Sequence, residues 1–106
     1  MSLAVLGALA LTLAVEVPIV ALVFKGQRVR MALVCAATTA ATNVAMNTLL
    51  RAWIPGASLA IAVGEISALA IEATVYALAS RPRDVPRALV ASALANAASY
   101  AVGLAL

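Results

Sequence analysis

The sequence predicts an all-α membrane protein with four transmembrane helices in a single domain, residues 1–106. Of these residues, 66% are hydrophobic and only 10% are charged, and the mean hydropathy is +1.13. A soluble domain of this size keeps too much surface in water to hide so many apolar side chains. Four nearly uncharged runs, each about as long as one bilayer crossing, predict the helices: residues 3–24, 31–50, 57–80 and 88–106.

Short polar segments with glycine or proline separate the four runs and predict tight turns. They are Lys-Gly-Gln-Arg at 25–28, Trp-Ile-Pro-Gly at 53–56 and Arg-Pro-Arg-Asp-Val-Pro at 81–86. The first run has no basic leader and is longer than the apolar part of a signal peptide, so we expect it to be retained as a helix. Trp53 then lies at the outer surface of the membrane, where aromatic residues are enriched.

The basic residues predict the orientation of the chain. The first and third connections, with the adjoining helix ends, hold six of the seven: Lys25, Arg28, Arg30, Arg81, Arg83 and Arg87. The second connection holds only Arg51. Because basic loops stay on the cytoplasmic side, we expect both termini to face outward across a bacterial inner membrane. Basic residues in short loops suit contact with the lipid bilayer, and we expect no nucleic-acid partner despite a net charge of +3.

The two halves of the sequence align without gaps when Glu16 is placed over Glu72. The same register matches the two basic loops. Two stripes of alanine also match: Ala37, Ala41 and Ala45 with Ala93, Ala97 and Ala101. We therefore predict two parallel repeat units, about residues 1–52 and 57–106, related by an axis along the membrane normal. The alanine stripes are of the small-xxx-small kind that packs helices closely.

Three carboxylates lie inside the predicted spans: Glu16 in the first helix, and Glu65 and Glu72 in the third. Each costs a few kcal/mol to place there, and such residues usually face the bundle interior and mark a pathway or a binding site. Glu16 and Glu72 each lie ~12 Å from the cytoplasmic ends of their helices, at a rise of ~1.5 Å per residue. Glu65 is two turns nearer the outer side, on the same face as Glu72.

Neutral polar residues accompany the acids. Asn43 and Asn47 share a face of the second helix with Thr39, and Asn96, Ser99, Tyr100 and Gly103 form a similar stripe on the fourth. The four helices are thus expected to line one polar column. Pro18 lies two residues after Glu16 and leaves the carbonyl of Ala14 without its helical partner, which predicts a hinge or an extra ligand beside the acid.

A purely structural interpretation remains open for several of these residues. Asn, Ser and Thr often join transmembrane helices by hydrogen bonds, and this interpretation suits Asn43, Asn47 and Ser99. We expect Tyr76 to anchor the inner membrane interface and Cys35 to fill a small apolar space.

Oxygen atoms are the expected ligands of any bound ion. The single Cys and the absence of His exclude an internal disulfide and a zinc or copper cage. We predict Glu16, Glu72 and Glu65 as the main ligands of Na⁺, Mg²⁺, Ca²⁺ or Mn²⁺, with Asn43 and Asn96 as weaker ones. Two acids that share a site titrate as a coupled pair, so a cation can displace protons from them. No other cofactor is expected.

The polar pattern also carries a resemblance. The chain resembles a group of small bacterial four-helix integral membrane proteins to which we attach no activity. The matching residues are Glu16 with Pro18, Thr42-Asn43 with Asn47, Glu65 with Glu72, and Asn96 with Ser99. The resemblance covers nearly the whole chain and implies only the fold.

In size and in the place of Glu16, the chain is also distantly similar to the small multidrug resistance transporters. Those proteins have four spans and use a glutamate in the first helix for proton and drug exchange. The aromatic residues of their pore are missing here. Their third-helix tryptophan is also missing, since the single tryptophan of this chain, Trp53, lies in a connection.

The leading hypothesis is a small transporter or channel-like protein for a cation, coupled to protons through the buried carboxylates. The alternative is a structural or accessory subunit whose polar groups lock helices together or bind a partner's helix. We expect no enzyme activity, because the sequence holds no nucleophile, His or cofactor motif beside its acids. A thin four-helix bundle also predicts a homodimer, and a small cationic substrate is the expected ligand if no metal ion binds.

Overall fold

The computed structural model describes residues 3–50 and 56–105, which form four helices. They are α1, Leu3–Val23; α2, Arg28–Ala45; α3, Ala57–Ala79; and α4, Val85–Ala105. A π-helical segment, Met46–Leu50, continues α2. The prediction of an all-α protein with four helices is therefore confirmed, whereas Arg51 and Trp53 lie outside the described residues.

Helices α2 and α4 begin earlier than the hydropathy predicts, since their first turns carry charge. The start of α4 is capped by Asp84, whose Oδ1 accepts the backbone N–H of Arg87 at 3.0 Å. Its Oδ2 also forms an ion pair with the Arg87 side chain at 3.1 Å. These contacts from Arg87 hold the pKa of the exposed Asp84 carboxyl below its usual value.

Within the described residues, three helices are long and apolar enough to cross a membrane, as expected of a membrane protein. The spans are Leu6–Val23 in α1, Ser58–Ala79 in α3 and Val85–Ala105 in α4. Large apolar side chains such as Leu22 and Ile66 lie exposed on the bundle surface, as contact with lipid requires. Helix α2 is not among these spans, because its first turn carries two arginines and its second half carries three Thr and one Asn.

The four helices form a ring in which each helix contacts two neighbours. Helix α1 packs against α2 and α4, and α3 packs against the same two helices. The bundle measures 40 × 22 × 22 Å, so its long axis matches a membrane-spanning element. Because α1 and α3 lie diagonally, Glu16 and Glu72 approach each other from opposite corners of the ring.

The apolar core lies in the half of the bundle next to the two basic connections, which we call the closed half. It consists of Val20, Phe24, Met31, Cys35, Tyr76, Ala88, Ala91 and Ala95. Phe24 and Tyr76 meet edge to face, with 6.5 Å between ring centroids. Tyr76 is fully buried, so its predicted role as an interfacial anchor is wrong: it lies one turn from Glu72 on the same inward face.

The two alanine stripes do not pack the helices of this chain together. Ala37, Ala41, Ala93, Ala97 and Ala101 are all exposed on the outside of the bundle. The alanines that allow close approach of the helices are instead Ala88, Ala91 and Ala95. The prediction failed because a small-xxx-small pattern does not say which face of a helix points inward.

Among the described residues, three hydrogen bonds join the α1–α2 hairpin to the α3–α4 hairpin at the closed end. Arg30 Nε donates to the carbonyl of Ala79 at 2.8 Å, and Arg87 Nη1 donates to the carbonyl of Val23 at 2.7 Å. The backbone N–H of Arg81 donates to Gln27 Oε1 at 2.8 Å. The first connection turns at Gly26, where a φ of 90° favours glycine.

Candidate functional site

Five polar side chains meet at one level in the middle of the bundle and form what we call the polar ring. They are Glu16 from α1, Thr39 from α2, Glu72 from α3, and Asn96 and Ser99 from α4. All four helices thus contribute to one hydrogen-bonded network. Both carboxyl groups are nearly inaccessible, since Glu16 is 2% exposed and Glu72 is 1% exposed.

The hydroxyl of Thr39 lies between the two carboxyl groups. Its Oγ1 is 3.3 Å from Glu16 Oε1 and 3.2 Å from Glu72 Oε1. The two acids on diagonal helices therefore share one neutral partner. The other side of Oγ1 faces Cys35, whose Sγ is 3.7 Å away.

Helix α4 supplies a separate donor to each acid. Asn96 Nδ2 donates to Glu72 Oε2 at 2.6 Å, and Ser99 Oγ donates to Glu16 Oε2 at 2.7 Å. Asn96 is itself fixed by a second bond to the carbonyl of Ser92 at 2.8 Å. Each carboxyl group thus has two partners, which agrees with the rule that buried polar groups are hydrogen-bonded.

Helical spacing explains why α2 and α4 can serve the ring. Asn96 and Ser99 are three residues apart and share a face of α4. On α2, Asn43 Nδ2 and Thr42 Oγ1 both donate to the carbonyl of Thr39, at 3.0 and 3.1 Å. These bonds hold the turn that presents the Thr39 hydroxyl to the acids.

A polar cavity extends from the ring to the end of the bundle where α1 begins and α4 ends, in what we call the open half. Its volume is about 780 Å³, and its upper wall includes Ala8 and Gly103. All three acids of the spans line it, and no Lys or Arg does so within the described residues. The cavity is therefore an acidic vestibule with Glu16 and Glu72 at its floor.

Glu65 lines this cavity above the ring. It lies two turns from Glu72, roughly 10 Å along the helix, and its side chain is exposed. It also borders a shallower groove of about 500 Å³ between α3 and α4. Glu65 is thus placed at the entrance, outside the hydrogen-bonded network of the polar ring.

The other predicted residues are distributed as follows. Asn43 lines the cavity, whereas the side chain of Asn47 lies outside the described residues. Pro18 and Ala14 lie on the exposed face of an unbroken α1. The predicted roles of the Ala14 carbonyl as an extra ligand and of Pro18 as a hinge stay predictions.

The acids do not converge on a single point. In the described parts of the chain, no three His, Cys, Asp or Glu side chains lie close enough to hold a metal ion together. A cation at Glu16 and Glu72 would need further oxygen ligands from neutral groups or water. The predicted ligand set of Glu16, Glu72 and Glu65 stays a prediction.

The sequence places Thr39 and Ser99 in the polar column but does not predict that both side chains hydrogen-bond to the acids. Thr39 aligns with an alanine, Ala95, in the register that pairs Glu16 with Glu72, so the repeat gives no signal for it. Ser99 aligns with Asn43 in the repeat, which is a signal that we interpreted as helix packing. Both residues bond to the acids because they lie at the same depth in the bundle as the carboxyl groups. Only the arrangement of the helices defines that depth.

The floor of the cavity is sealed by the apolar core of the closed half. The Tyr76 hydroxyl lies buried there, and it has no hydrogen-bond partner among the described residues. A buried polar atom of this kind is usually satisfied by ordered water. The seal is therefore mostly apolar, and its buried polar groups among the described residues are the Tyr76 hydroxyl, the Cys35 thiol and the hydroxyls of Ser80 and Ser92.

No family model, curated protein or solved structure matches the chain. The site defines a helical membrane protein with an acidic cavity that is open at one end and sealed at the other.

Proposed function

We propose that the protein is a small multi-pass transporter of the bacterial inner membrane that moves a cation in exchange for protons. The observation that carries this proposal is the pair of buried carboxyls, Glu16 and Glu72, at the floor of a cavity lined by acids and by no described base. Buried carboxyls in a span usually mark an ion pathway. An acidic cavity with low-dielectric walls also concentrates cations.

The proposed orientation places the cavity on the outside. All four helices cross the membrane, and the basic connections at the closed end lie in the cytoplasm by the positive-inside rule. Both termini then face outward. The ring order of the helices supports a two-hairpin repeat, since a twofold axis through the bundle exchanges α1 with α3 and α2 with α4.

The closed half makes an exchanger a better proposal than a channel. Phe24, Met31 and Tyr76 are fully buried between the polar ring and the basic connections. A cation at the ring can continue inward only after the helices rearrange, which is the alternating access typical of small transporters. We propose that Pro18 serves as the hinge of α1 in this motion.

The roles of the polar residues follow from their positions. Glu16 and Glu72 bind the cation and exchange protons as a coupled pair. Glu65 at the entrance attracts cations and relays them to the ring. Asn43 and Asn96 supply neutral oxygen ligands, and the ion is one that accepts oxygen ligands, such as Na⁺, Mg²⁺, Ca²⁺ or Mn²⁺.

The test is cation binding measured as thermal stabilisation of the purified protein at pH 6 and pH 8. A ligand that binds only the folded state raises the melting temperature by mass action. We expect one cation to stabilise the wild type more at pH 8, and neither Glu16→Gln nor Glu72→Gln to respond. Asp84→Asn removes an exposed acid far from the cavity and serves as the matched control, which should respond like the wild type.

One observation favours a second candidate, a structural or accessory subunit. Every member of the polar ring already bonds to another helix, which is how polar side chains hold membrane helices together. The exposed alanine stripes then contact a partner or a second copy of the chain. Stability that is independent of pH and of every cation in both the wild type and the Gln variants would favour this candidate.

A further inference from the structure

Two arginines reach from one hairpin to the other at the closed end. Arg87 of α4 donates to the carbonyl of Val23, the last residue of α1. Arg30 of α2 donates to the carbonyl of Ala79, the last residue of α3. Each bond therefore joins the end of one acid-bearing helix to the hairpin that carries the other acid.

The two acceptor carbonyls are equivalent in the sequence repeat, since Val23 aligns with Ala79 when Glu16 is placed over Glu72. The following residues also match, because the N–H groups of Phe24 and Ser80 each bond to the carbonyl four residues earlier at 3.0 Å. The last carbonyls of a helix lack partners within it, and a cationic group is favoured there by the helix dipole. Each arginine thus supplies a cationic donor to the last carbonyl of the first helix in the opposite hairpin.

The remaining basic residues at this end behave differently. Lys25, Arg28, Arg81 and Arg83 are exposed, as Arg30 and Arg87 also are, but the structure gives the side chains of the first four no hydrogen bond or ion pair within the described residues. Arg87 is further held by Asp84 at 3.1 Å. Orientation by the positive-inside rule needs only charge in the loops, so it does not explain why two arginines bond across the hairpins.

We propose that Arg30 and Arg87 form a paired latch that holds the inner side of the cation site closed. This inference rests on the proposed function, because a transported cation must pass this end of the bundle. Opening requires both guanidinium groups to leave their carbonyls, and the hairpins then separate at the basic end. The polar ring stays intact during this step, because its bonds lie on the other side of the apolar core.

The chain contains its own reporter of this opening. Cys35 is the only cysteine, is fully buried and lies one turn from Thr39 toward the closed end. Separation of the hairpins at the basic end exposes its thiol. A buried thiol reacts in proportion to the open population when opening and closing are fast compared with the reaction.

The experiment measures the alkylation rate of Cys35 by a membrane-impermeant maleimide, with the protein in lipid nanodiscs. The variants are Arg30→Gln, Arg87→Gln and both together, and the matched controls are Arg28→Gln and Arg83→Gln. Each latch variant removes a charge-assisted hydrogen bond from the closed state only, so we expect labelling to accelerate about tenfold. The double variant should label faster than either single variant, and the controls should label like the wild type.

Charge-preserving variants keep the test decisive if a Gln variant does not fold. Arg30→Lys and Arg87→Lys keep a cationic donor at the helix end, and we expect a smaller acceleration with the same order among variants. An unchanged labelling rate in the folded double variant would overturn the latch. So would an equal acceleration in the Arg28→Gln and Arg83→Gln controls, because it would reflect a general effect of charge.

The labelling assay needs no cation, so failure of the latch and failure of transport can be told apart. If the latch variants expose Cys35 while the wild type neither binds nor moves a cation, the latch is supported and the proposed function is wrong. If the wild type transports a cation and labelling ignores Arg30 and Arg87, only the latch is wrong.

Discussion

The open and closed halves of the bundle have the same four helices but opposite contents. The closed half is filled by large side chains, among them Phe24, Met31 and Tyr76. The open half lines a cavity of about 780 Å³ with several small residues, including Ala8, Gly56 and Gly103, beside larger ones such as Tyr100. In a close-packed bundle, small side chains leave space that large ones would fill. The difference gives the acids access from one side only.

Backbone geometry reinforces this difference. The open half contains the π-helical segment Met46–Leu50 at the end of α2, and Met46 lines the cavity. Such segments occur often at functional sites. The closed half has regular helix ends joined by short connections and by the arginine bonds described above. Structural change is therefore easier to accommodate around the cavity, and tight sealing is easier at the basic end.

The largest effect is expected when a large side chain is removed from the closed half, because this reduces the difference between the two halves. Tyr76→Ala removes the largest fully buried side chain and should lower the free energy of unfolding by about 3 kcal/mol. This value is at the low end of the range for truncation of a buried aromatic side chain. A loss is expected because side-chain packing drives the association of membrane helices. The measurement is unfolding in mixed micelles of increasing denaturing detergent. Tyr100→Ala, at the half-exposed rim of the cavity, is the control and should cost far less.

The next effect comes from the boundary between the halves. Ser99→Ala removes the 2.7 Å donor to Glu16 and should lower the free energy of unfolding by about 1 to 2 kcal/mol, as for other hydrogen bonds between membrane helices. Thr48→Ala loses only two bonds within its own helix, to the carbonyls of Val44 and Ala45, so the same unfolding assay should find a smaller cost for it. Equal costs would mean that the polar ring contributes nothing to stability beyond local bonds.

A smaller change in stability, with a clear change in function, is expected when the open half is filled. A side chain at Gly103 meets no atom within 4 Å of its Cβ and points into space beside the cavity. Gly103→Leu should therefore fold and gain about 0.5 to 1 kcal/mol from helix propensity, while cation binding falls. Gly7→Leu is the matched control, because Gly7 is equally open and does not line the cavity. Equal binding in both variants would show that the cavity is not the route to the acids.

The smallest effect concerns Asp84, outside the spans at the closed end. Its pKa is below the ordinary value because Arg87 bonds to its carboxylate. A lowered pKa contributes stability that is present above the ordinary pKa of 3.8 and is lost as pH falls through the folded value. The melting temperature of the wild type should therefore fall more than that of Asp84→Asn as the pH is lowered below about 4. Parallel curves for the two proteins would contradict this prediction.

Hydropathy predicted the number of helices because each apolar run is bounded by charge or proline. It did not predict the starts of α2 and α4, because the first turns of these helices carry the charged residues Arg30 and Arg87. Both side chains belong to helices and still bond to a neighbouring part of the chain. It also failed for Tyr76, whose burial depends on the helix face that it shares with Glu72. The face that a helix turns inward is set by tertiary packing, and an all-apolar helix carries little periodicity that would indicate this face.

The site was predictable to a similar extent. The predicted repeat indicated that Glu16 and Glu72 lie at one depth, and the structure brings both to the Thr39 hydroxyl. The division into an open and a closed half was not predictable, because alanine and phenylalanine both count as apolar in a hydropathy profile. Side-chain volume along the bundle axis is the signal that a sequence reader would need.

The most direct test is cation flux in proteoliposomes that hold the purified protein, with an imposed proton gradient. We expect the wild type and Asp84→Asn to take up the cation that stabilises the protein, and Glu16→Gln and Glu72→Gln to take up none. Equal uptake by the wild type and both Gln variants would show that the buried carboxyls are structural. It would contradict the proposal that the cavity leads to a cation site.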